Sequence, residues 1–332
     1  MDGDVIYLDY NASTPCDPRV VEAMLPHLTE TYANPSSRSH RPGRDAFTAL
    51  EDARAKVARR LGARSPTEIY FTSGATEANN LALRGVARAR ADRGRHLVTQ
   101  VTEHPSVLEP LRSLRQDGWE LTEVGVNENG RLRVDDLAAA LRDDTILVSL
   151  MHANNETGTL QPVRQAAALV HQRGALLHCD AAQSVGKVGV DVSDLGVDLL
   201  TLSGHKLYAP KGIGALYVRR TKPALKVHPL LFGGGHESGL RSGTPNLPGA
   251  TGLACALEIA VDALEAEGHQ IADLRDRLEA SVVGNLEDCT INGEPDHRLP
   301  GTTNLSFAGV EGNALLASLP DLAVSSGSAC TS

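Results

Sequence analysis

The chain repeats one pattern: a short apolar run, a polar turn with small residues, and then a more helical stretch. Clear cases are "EIYFT" before "SGATEANNLALRGVARA", "HLVTQV" before "TEHPSVLEPLRSL", and "ALLHCD" before "AAQSVGKV". The run "TILVSLM" leads into "HANNETG". The run "DLLTLS" leads into "GHKLYAPKG", which is followed by a further apolar run, "IGALYV". Strands that alternate with helices are typical of βαβ units. The pattern therefore predicts an α/β protein with a mainly parallel central sheet flanked by helices.

The texture of the sequence changes near Ala250. A long helical pattern, "ATGLACALEIAVDALEAEGHQIADLRDRLEASVV", is followed by short strand-like pieces such as "TTNLSFAGV". A chain of 332 residues is long enough for two domains. We expect a large domain over residues 15–255 and a smaller α+β domain made of residues 1–14 and 256–332.

Composition excludes several classes of protein. The net charge of −9 and the 3% aromatic content argue against a nucleic-acid binder, which needs a basic face and stacking platforms. No window approaches 18 uninterrupted apolar residues, and the acidic start "MDGDVIYLDY" does not resemble a secretory signal. We therefore expect no direct contact with membranes and a cytoplasmic location. In the cytoplasm, cysteines are expected to be thiols and not disulfides; this chain has Cys16, Cys179, Cys255, Cys289 and Cys330. No two of them have the spacing of metal ligands.

Chemically useful side chains follow the predicted strands. Open α/β sheets bind ligands beyond the carboxyl ends of their strands, so residues at these positions are expected to meet at one site. The candidates are Thr76, His104, Asn155, Asp180, Gln183, Ser203, His205 and Lys206.

Lys206 and Asp180 together indicate a pyridoxal phosphate site. A partly desolvated lysine at the end of "DLLTLS" has a lowered pKa and can form a Schiff base with a carbonyl. An acid at the end of "ALLHCD" can keep a pyridine ring protonated as an electron sink. Taken singly, Lys206 also fits a surface lysine and Asp180 an ordinary helix N-cap.

The turn "SGAT", residues 73–76, is a candidate phosphate cradle. It lies between a strand and a helix, so free backbone N–H groups and the positive end of the helix dipole face the sheet edge. Ser203 and His205 add donors beside Lys206, although an ordinary Ser/Thr cap explains "SGAT" equally well. His104 can stack on a ring or transfer protons, and Asn155 can bind a ring oxygen.

Eight motifs run in order along the whole chain: "YLDYNASTPCDPRV", "FTSGATEANN", "TEHPSVL", "MHANNETGTLQP", "HCDAAQSVGK", "SGHKLYAPKGIGALYV", "GGGHESGLRSGT" and "AVSSGSACTS". Together they resemble the cysteine desulfurases of the NifS and IscS type. These belong to the class V aminotransferase-like enzymes with the fold type I pyridoxal phosphate (aspartate aminotransferase-like) architecture. The resemblance implies removal of sulfur from L-cysteine, with alanine as the other product.

The resemblance also implies a role for each matching residue. Lys206 holds the cofactor covalently, His104 stacks on it and transfers protons, and Asp180 binds its pyridine nitrogen. Asn155 and Gln183 lie near the ring oxygen, and the phosphate is surrounded by Ala75, Thr76, Ser203 and His205. Thr244, in "RSGT", matches the position that family members offer to the phosphate of the partner subunit. A homodimer with shared active sites is therefore implied.

Cys330 matches the nucleophile that receives sulfur as a persulfide. Its surroundings, "SSGSACTS", resemble the family members with a long, mobile cysteine loop. Those members continue past this motif with a helical stretch that completes the small domain and supplies an arginine for the substrate carboxylate. We therefore expect the small domain here to be incomplete at its C-terminus, and Arg241 is not assigned the carboxylate role.

Other functions remain open at this point. A selenocysteine lyase or an aminotransferase of the same fold would keep Lys206 and Asp180 without needing Cys330. An interaction scaffold without catalysis is a further alternative. For a desulfurase, the implied partner is a sulfur-acceptor protein, either an iron–sulfur scaffold or a protein that thiolates tRNA or DNA. No metal site is expected, apart from an iron–sulfur cluster that Cys330 would share with a partner.

Overall fold

A computed structural model describes residues 5–326 of the chain, and a seven-stranded sheet lies at its centre. The strands are β1 (Ile6–Tyr7), β2 (Ile69–Thr72), β3 (His96–Gln100), β4 (Glu120–Val124), β5 (Thr145–Met151), β6 (Leu176–Asp180), β7 (Leu199–Ser203), β8 (Gly214–Val218), β9 (Cys289–Ile291), β10 (Leu305–Phe307) and β11 (Leu322–Ala323). The order in the central sheet is β2-β8-β7-β6-β5-β3-β4. Only β8 is antiparallel to its neighbours β2 and β7 within this sheet. The prediction of a mainly parallel sheet is confirmed.

Helices cover both faces of this sheet. They are α1 (Pro18–Thr29), α2 (Arg41–Arg60), α3 (Ala75–Ala89), α4 (Pro105–Gln116), α5 (Val134–Ala140), α6 (Val163–Gln172), α7 (Val192–Leu195), α8 (Leu247–Asn285) and α9 (Gly312–Ala317). Short 3-10 turns occupy Pro66–Glu68, Gly204–Lys206 and Glu237–Gly239.

Two apolar cores pack against opposite faces of the sheet. Leu216 of β8 packs in one core with Leu83 of α3 and Leu111 of α4. The next residue, Tyr217, packs in the other core, which contains Leu253 of α8. This alternation is what the two-residue period of a strand requires. Burying both faces explains why the central strands are almost continuously apolar. The molecule is therefore a three-layer α/β structure around the sheet.

The long helix α8 crosses the expected domain boundary. It runs unbroken through residues 255 and 256, and it is buried at Leu253 and Leu257 but exposed at Leu274 and Leu278. By length and composition α8 could cross a membrane, but 44% of its most apolar window is buried inside the protein, and helices in protein cores share this length and composition. The division into two domains stays a prediction.

Two small sheets join distant parts of the chain. Strands β1 and β11 pair in parallel, with Ile6 opposite Leu322, and β9 and β10 pair antiparallel. The strand-like piece "TTNLSFAGV" thus contains β10. The edge strand β4 was not predicted, because its sequence "ELTEV" is largely polar and four of its five residues keep some solvent exposure. No helix follows β5 directly, since the Asn154 side chain accepts the N–H groups of Glu156 and Thr157 and closes a turn.

Candidate active site

The parallel strands end at one edge of the sheet, where a cavity of about 430 Å³ opens. Its volume lies within the range of small-ligand sites. Among its lining residues are most of the sequence-predicted candidates: Ala75, Thr76, His104, Asn155, Asp180, Gln183, Ser203, His205 and Lys206. Thr244 is exposed and does not line this cavity. Cys330 lies outside the described residues.

Lys206 is buried in the 3-10 turn that follows β7. The turn is anchored to the N-terminal segment, because the backbone N–H and the hydroxyl of Thr14 donate to the His205 carbonyl over 2.9 and 3.0 Å. A Cβ on Gly204 would lie 2.8 Å from the Ile213 side chain, so only glycine fits where the chain turns. These contacts hold the lysine amine at the carboxyl edge of the sheet, in the wall of the cavity.

Asp180 closes β6, and both of its carboxylate oxygens accept hydrogen bonds. Oδ1 accepts from the Ala182 N–H over 2.9 Å, and Oδ2 accepts from Nδ2 of Asn79 over 2.7 Å. The carboxylate is buried but still lines the cavity. Because these two donors fix the orientation of the carboxylate, Asp180 faces a ligand in the cavity from one defined position.

His104 lies at the start of α4 and is held there through its Nδ1 atom. Nδ1 accepts from the Ser106 N–H over 3.0 Å, and the Ser106 hydroxyl lies 2.7 Å from the same atom. Because Nδ1 acts as an acceptor, the hydrogen-bond pattern assigns the ring proton to Nε2. Burial lowers the pKa of His104, and nearby Lys206 lowers it further, while Asp180 opposes the shift. The imidazole is therefore neutral near pH 7, with Nδ1 engaged by Ser106 and a proton on Nε2 that it can donate.

The N-terminus of α3 forms a cradle for an anion. The helix begins after Gly74, whose φ of 150° favours glycine, and no side chain caps it. The first N–H groups of a helix have no partner within the helix, and the helix dipole attracts negative charge to them. Ser203 and His205 line the same cavity, and burial together with nearby Lys206, Lys211 and Lys187 lowers the pKa of His205 to about 4.

Gln183 is oriented by a second lysine. The ammonium of Lys187 lies 3.0 Å from Gln183 Oε1 and 3.2 Å from Asn11 Oδ1, while Gln183 Nε2 donates to the Asn11 carbonyl over 2.9 Å. Burial, and to a smaller extent Lys206, lowers the pKa of Lys187 to about 7. Asn155 is also buried in the cavity wall.

Several residues that support the site were not found from the sequence. Asn79 donates to both Asp180 and the Ser106 hydroxyl, which links Asp180 to His104. Glu103 accepts the Met151 N–H, and burial together with Asp180 raises its pKa well above the usual value. In the sequence, these supporting residues differ from others only by their positions close to the predicted site. Asn79 lies one helical turn into α3, and Ser106 follows His104 by two residues.

This donor set fits pyridoxal phosphate. The cofactor needs an amine for its carbonyl group, an acid at its pyridine nitrogen and a cradle for its phosphate. Lys206, Asp180 and the uncapped N-terminus of α3 share one cavity and match these needs. Across residues 5–326, no three His, Cys, Asp or Glu side chains cluster closely enough to hold a metal ion. Whether the protein uses a metal through Cys330 stays a prediction.

Comparison with known proteins places the chain in a family. Residues 6–332 match the model of the family "Aminotransferase class-V". The chain is 51% identical over 327 residues to "Cysteine desulfurase IscS" of Anaeromyxobacter sp. (strain Fw109-5), which covers 98% of this chain and 80% of that protein.

Two solved structures are also similar. One is a "NIFS-LIKE PROTEIN", with a TM-score of 0.92 and 39% identity over 97% of this chain and 87% of that one. The other is "SspA in complex with cysteine", with a TM-score of 0.84 and 38% identity over 97% and 89%. The chain therefore belongs to the class-V aminotransferase family and, within it, to the cysteine desulfurases, which depend on pyridoxal phosphate.

Proposed function

We propose that this protein removes sulfur from L-cysteine, releases L-alanine and holds the sulfur as a persulfide on Cys330. The observation that carries the proposal is the meeting of Lys206, Asp180 and the uncapped N-terminus of α3 in one cavity. Similarity over nearly the whole chain to cysteine desulfurases supports it, as does similarity to a protein solved with cysteine bound. A selenocysteine lyase or an aminotransferase would use the same cavity but would not need Cys330.

The cavity residues divide the work of holding the cofactor. Lys206 would bind its carbonyl carbon, Asp180 its pyridine nitrogen, and Ala75, Thr76, Ser203 and His205 its phosphate. Gln183 and Asn155 would donate hydrogen bonds to its ring oxygen. When bound, the cofactor would supply a carbonyl carbon for the substrate amine and an electron sink for bond cleavage at the substrate.

Lys206 and His104 are the proposed proton carriers. With substrate bound, the Lys206 amine would take the proton from the substrate α-carbon. Neutral His104 carries a proton on Nε2 that it can donate, and this nitrogen could accept a proton again once that one has been given up, because Nδ1 is engaged by Ser106. Arg241 already forms a two-point ion pair with Glu77, so its guanidinium is engaged away from a substrate carboxylate.

The sulfur step is a nucleophilic displacement. The thiolate of Cys330 attacks the substrate sulfur, an S–S bond forms and the substrate C–S bond breaks. The electron pair of the broken bond returns to the substrate carbon, which takes a proton and leaves as alanine. The net change is cysteine plus enzyme thiol to alanine plus enzyme persulfide, so no external oxidant is needed.

The remaining features of the proposal concern assembly and context. We propose a homodimer in which the exposed Thr244 of each subunit reaches the phosphate in the other, with residues 15–255 as the large domain. We also propose a cytoplasmic enzyme that passes its sulfur to an acceptor protein for iron–sulfur cluster assembly or for thio-modification of nucleic acid. Free thiols at Cys16, Cys179, Cys255 and Cys289 are compatible with a reducing compartment.

The activity is tested with purified full-length protein loaded with pyridoxal phosphate. We expect L-cysteine and a reductant to yield sulfide and alanine in equal amounts. Cys330→Ala should keep the visible absorbance of the bound cofactor but lose sulfide release, whereas Lys206→Ala should lose that absorbance. Cys289→Ala, which removes a cysteine outside the cavity, is the matched control and should match the parent protein. Sulfide release by Cys330→Ala at the parental rate would overturn the desulfurase mechanism.

Shared active sites are tested by mixing subunits. Lys206→Ala and Thr244→Ala homodimers are expected to be weakly active or inactive. A heterodimer of the two contains one site with both residues intact and one with neither, so about half of the parental activity per dimer should return. Absence of any recovery, with heterodimers demonstrated by mass spectrometry, contradicts the shared site.

A further inference from the structure

Residues 233–244, "GGGHESGLRSGT", form a segment that we call the strap, and it is tied to the cradle side of the molecule by two ion pairs of opposite polarity. In the first, Arg54 of α2 donates to both oxygens of Glu237 in the strap, each over 2.7 Å. Both side chains are buried, and Glu237 also accepts the Phe71 N–H of β2 over 2.9 Å. This pair fixes the strap beside the strand that leads into the cradle.

In the second pair the strap supplies the cation. Arg241 donates from Nε to Glu77 Oε1 over 2.8 Å and from its terminal nitrogen to Oε2 over 3.2 Å. Glu77 belongs to the first turn of α3 and lines the cavity. Its Oε2 also accepts the Ser73 N–H over 2.9 Å, which holds the turn that enters the cradle.

Glu77 presents an electrostatic problem for an anion site. A carboxylate in the first turn of a helix suits the helix dipole, but a phosphate bound at the same N-terminus would be repelled by it. Burial alone raises the pKa of Glu77, yet the hydrogen bonds from Arg241 and Ser73 outweigh burial and lower it. Glu77 is thus ionised at neutral pH, and Arg241 is the cation that faces it.

We propose that Arg241 is a positioning residue of the phosphate cradle: it neutralises Glu77 and holds it against the Ser73 N–H, so that the turn over residues 73–76 can accept a dianion. The inference rests on the proposed pyridoxal phosphate site and deepens it. It differs from a simple anchoring role for the strap, because it requires Arg241 to act through the charge of Glu77. Removing that charge should therefore remove the need for Arg241.

The test is a double-mutant cycle on cofactor binding. Apoenzymes of the parent protein, R241Q, E77Q and the double variant E77Q/R241Q are titrated with pyridoxal phosphate, and the dissociation constant is read from the absorbance of the bound cofactor. R241Q should weaken binding at least tenfold. E77Q and E77Q/R241Q should both lie within threefold of the parent. A double variant as weak as R241Q, or an R241Q variant that binds like the parent, overturns the proposal.

Two further variants keep the result interpretable. R241K keeps the positive charge and should bind within threefold of the parent. If R241Q fails to fold, R241K and E77Q/R241Q still decide the matter, because tenfold weakening in either contradicts neutralisation. R142Q disrupts an exposed arginine pair with Asp144 at the opposite end of the sheet and should bind like the parent. Failure of the parent protein itself to bind pyridoxal phosphate would overturn the proposed function instead.

Discussion

Asn79 Nδ2 lies 2.7 Å from Asp180 Oδ2 and 2.9 Å from the Ser106 hydroxyl, so one amide group serves two elements of the active site. The Ser106 hydroxyl in turn contacts Nδ1 of His104 over 2.7 Å. A continuous set of hydrogen bonds therefore joins the acid expected at the pyridine nitrogen to the expected proton carrier. All of these side chains except that of His104 are buried, which makes the loss of one donor costly.

Replacing Asn79 by alanine should weaken both the fold and the site. Loss of a buried donor to a carboxylate costs about 1–3 kcal/mol of unfolding free energy. The turnover number should also fall, by roughly tenfold for about 1.4 kcal/mol of lost positioning, because Asp180 and Ser106 lose a common donor. Urea denaturation of the apoenzyme and steady-state assays measure the two effects. Asn80→Ala is the control on the same helix, because it removes a solvent-exposed hydrogen bond from the Asn80 amide to the Thr76 carbonyl. Unchanged stability in Asn79→Ala contradicts this role.

Lys187 determines which way the Gln183 amide points. An ammonium has only donors, so Gln183 must turn its carbonyl oxygen toward Lys187, and its Nε2 group is left for the Asn11 carbonyl and the cavity. The same ammonium holds Asn11 Oδ1, and Asn11 Nδ2 donates to Thr302 over 3.0 Å. The amine of Lys187 therefore orients the side-chain amides of Gln183 and Asn11, and Gln183 is the one expected near the ring oxygen of the cofactor.

Lys187→Met should change the titration of the bound cofactor. Because the pKa of Lys187 is about 7, this residue is a cation mainly below that pH. Removing the charge there favours the protonated form of the cofactor, so the fraction of that form at pH 6 should rise, whereas well above pH 7 the variant should match the parent protein. Absorbance spectra between pH 6 and 10 measure the two forms. Lys56→Met, which removes a lysine paired with Glu258 on the surface, should leave the spectra unchanged. Identical spectra of Lys187→Met and the parent protein at pH 6 would show that this lysine does not act on the ring.

The Arg54–Glu237 pair should be costly to break from one side. Glu237→Gln leaves a buried guanidinium with the partly exposed Glu51 as its remaining counter-charge, so the loss should lie near the lower end of the about 3–5 kcal/mol that breaking a buried pair costs. In Arg54→Met/Glu237→Gln both charges are absent, so the loss should be clearly smaller than the sum of the two single losses. Urea denaturation followed by circular dichroism measures all three variants. Arg112→Gln, from an exposed pair with Glu123, should cost less than about 1 kcal/mol. Additive losses would mean that the two side chains do not interact.

The buried histidine His178 should make the protein acid-sensitive. It lies between the hydroxyls of Ser149 and Thr201, and burial lowers its pKa to about 4. An unfolded histidine binds a proton near pH 6.5, so between pH 6.5 and 4 the unfolded state holds more protons than the native state. The unfolding free energy should therefore fall as the pH drops through this window, by up to about 3 kcal/mol for this residue.

The test compares urea midpoints at pH 7 and pH 4.5. His178→Gln should reduce the difference between the two midpoints, because it removes one group that titrates only on unfolding. His269→Gln, at an exposed position of α8, should leave the difference as in the parent protein. If His178→Gln shows the full parental loss at pH 4.5, the acid sensitivity has another source.

The sequence by itself predicted the parts of this protein that depend on local pattern and strand direction. Apolar runs followed by polar turns predicted the sheet, and parallel strands bring their carboxyl ends to one edge whatever the loops do. For that reason Lys206, Asp180, His104 and the turn at residues 73–76 could be expected in one site before any contact was known. The long helix α8 was also recognised from its pattern, within a few residues at each end.

Only the tertiary structure determined how the supporting side chains pair. Asn79 meets Asp180 across 101 residues, and Arg241 meets Glu77 across 164. Such pairs depend on rotamers and on the packing of α3 against the sheet and the strap, and no spacing in the sequence encodes them. The antiparallel direction of β8 was likewise invisible, because a buried strand has the same apolar pattern in either direction. Local pattern therefore predicted where the chemistry lies, whereas long-range side-chain packing determined which groups orient and neutralise it.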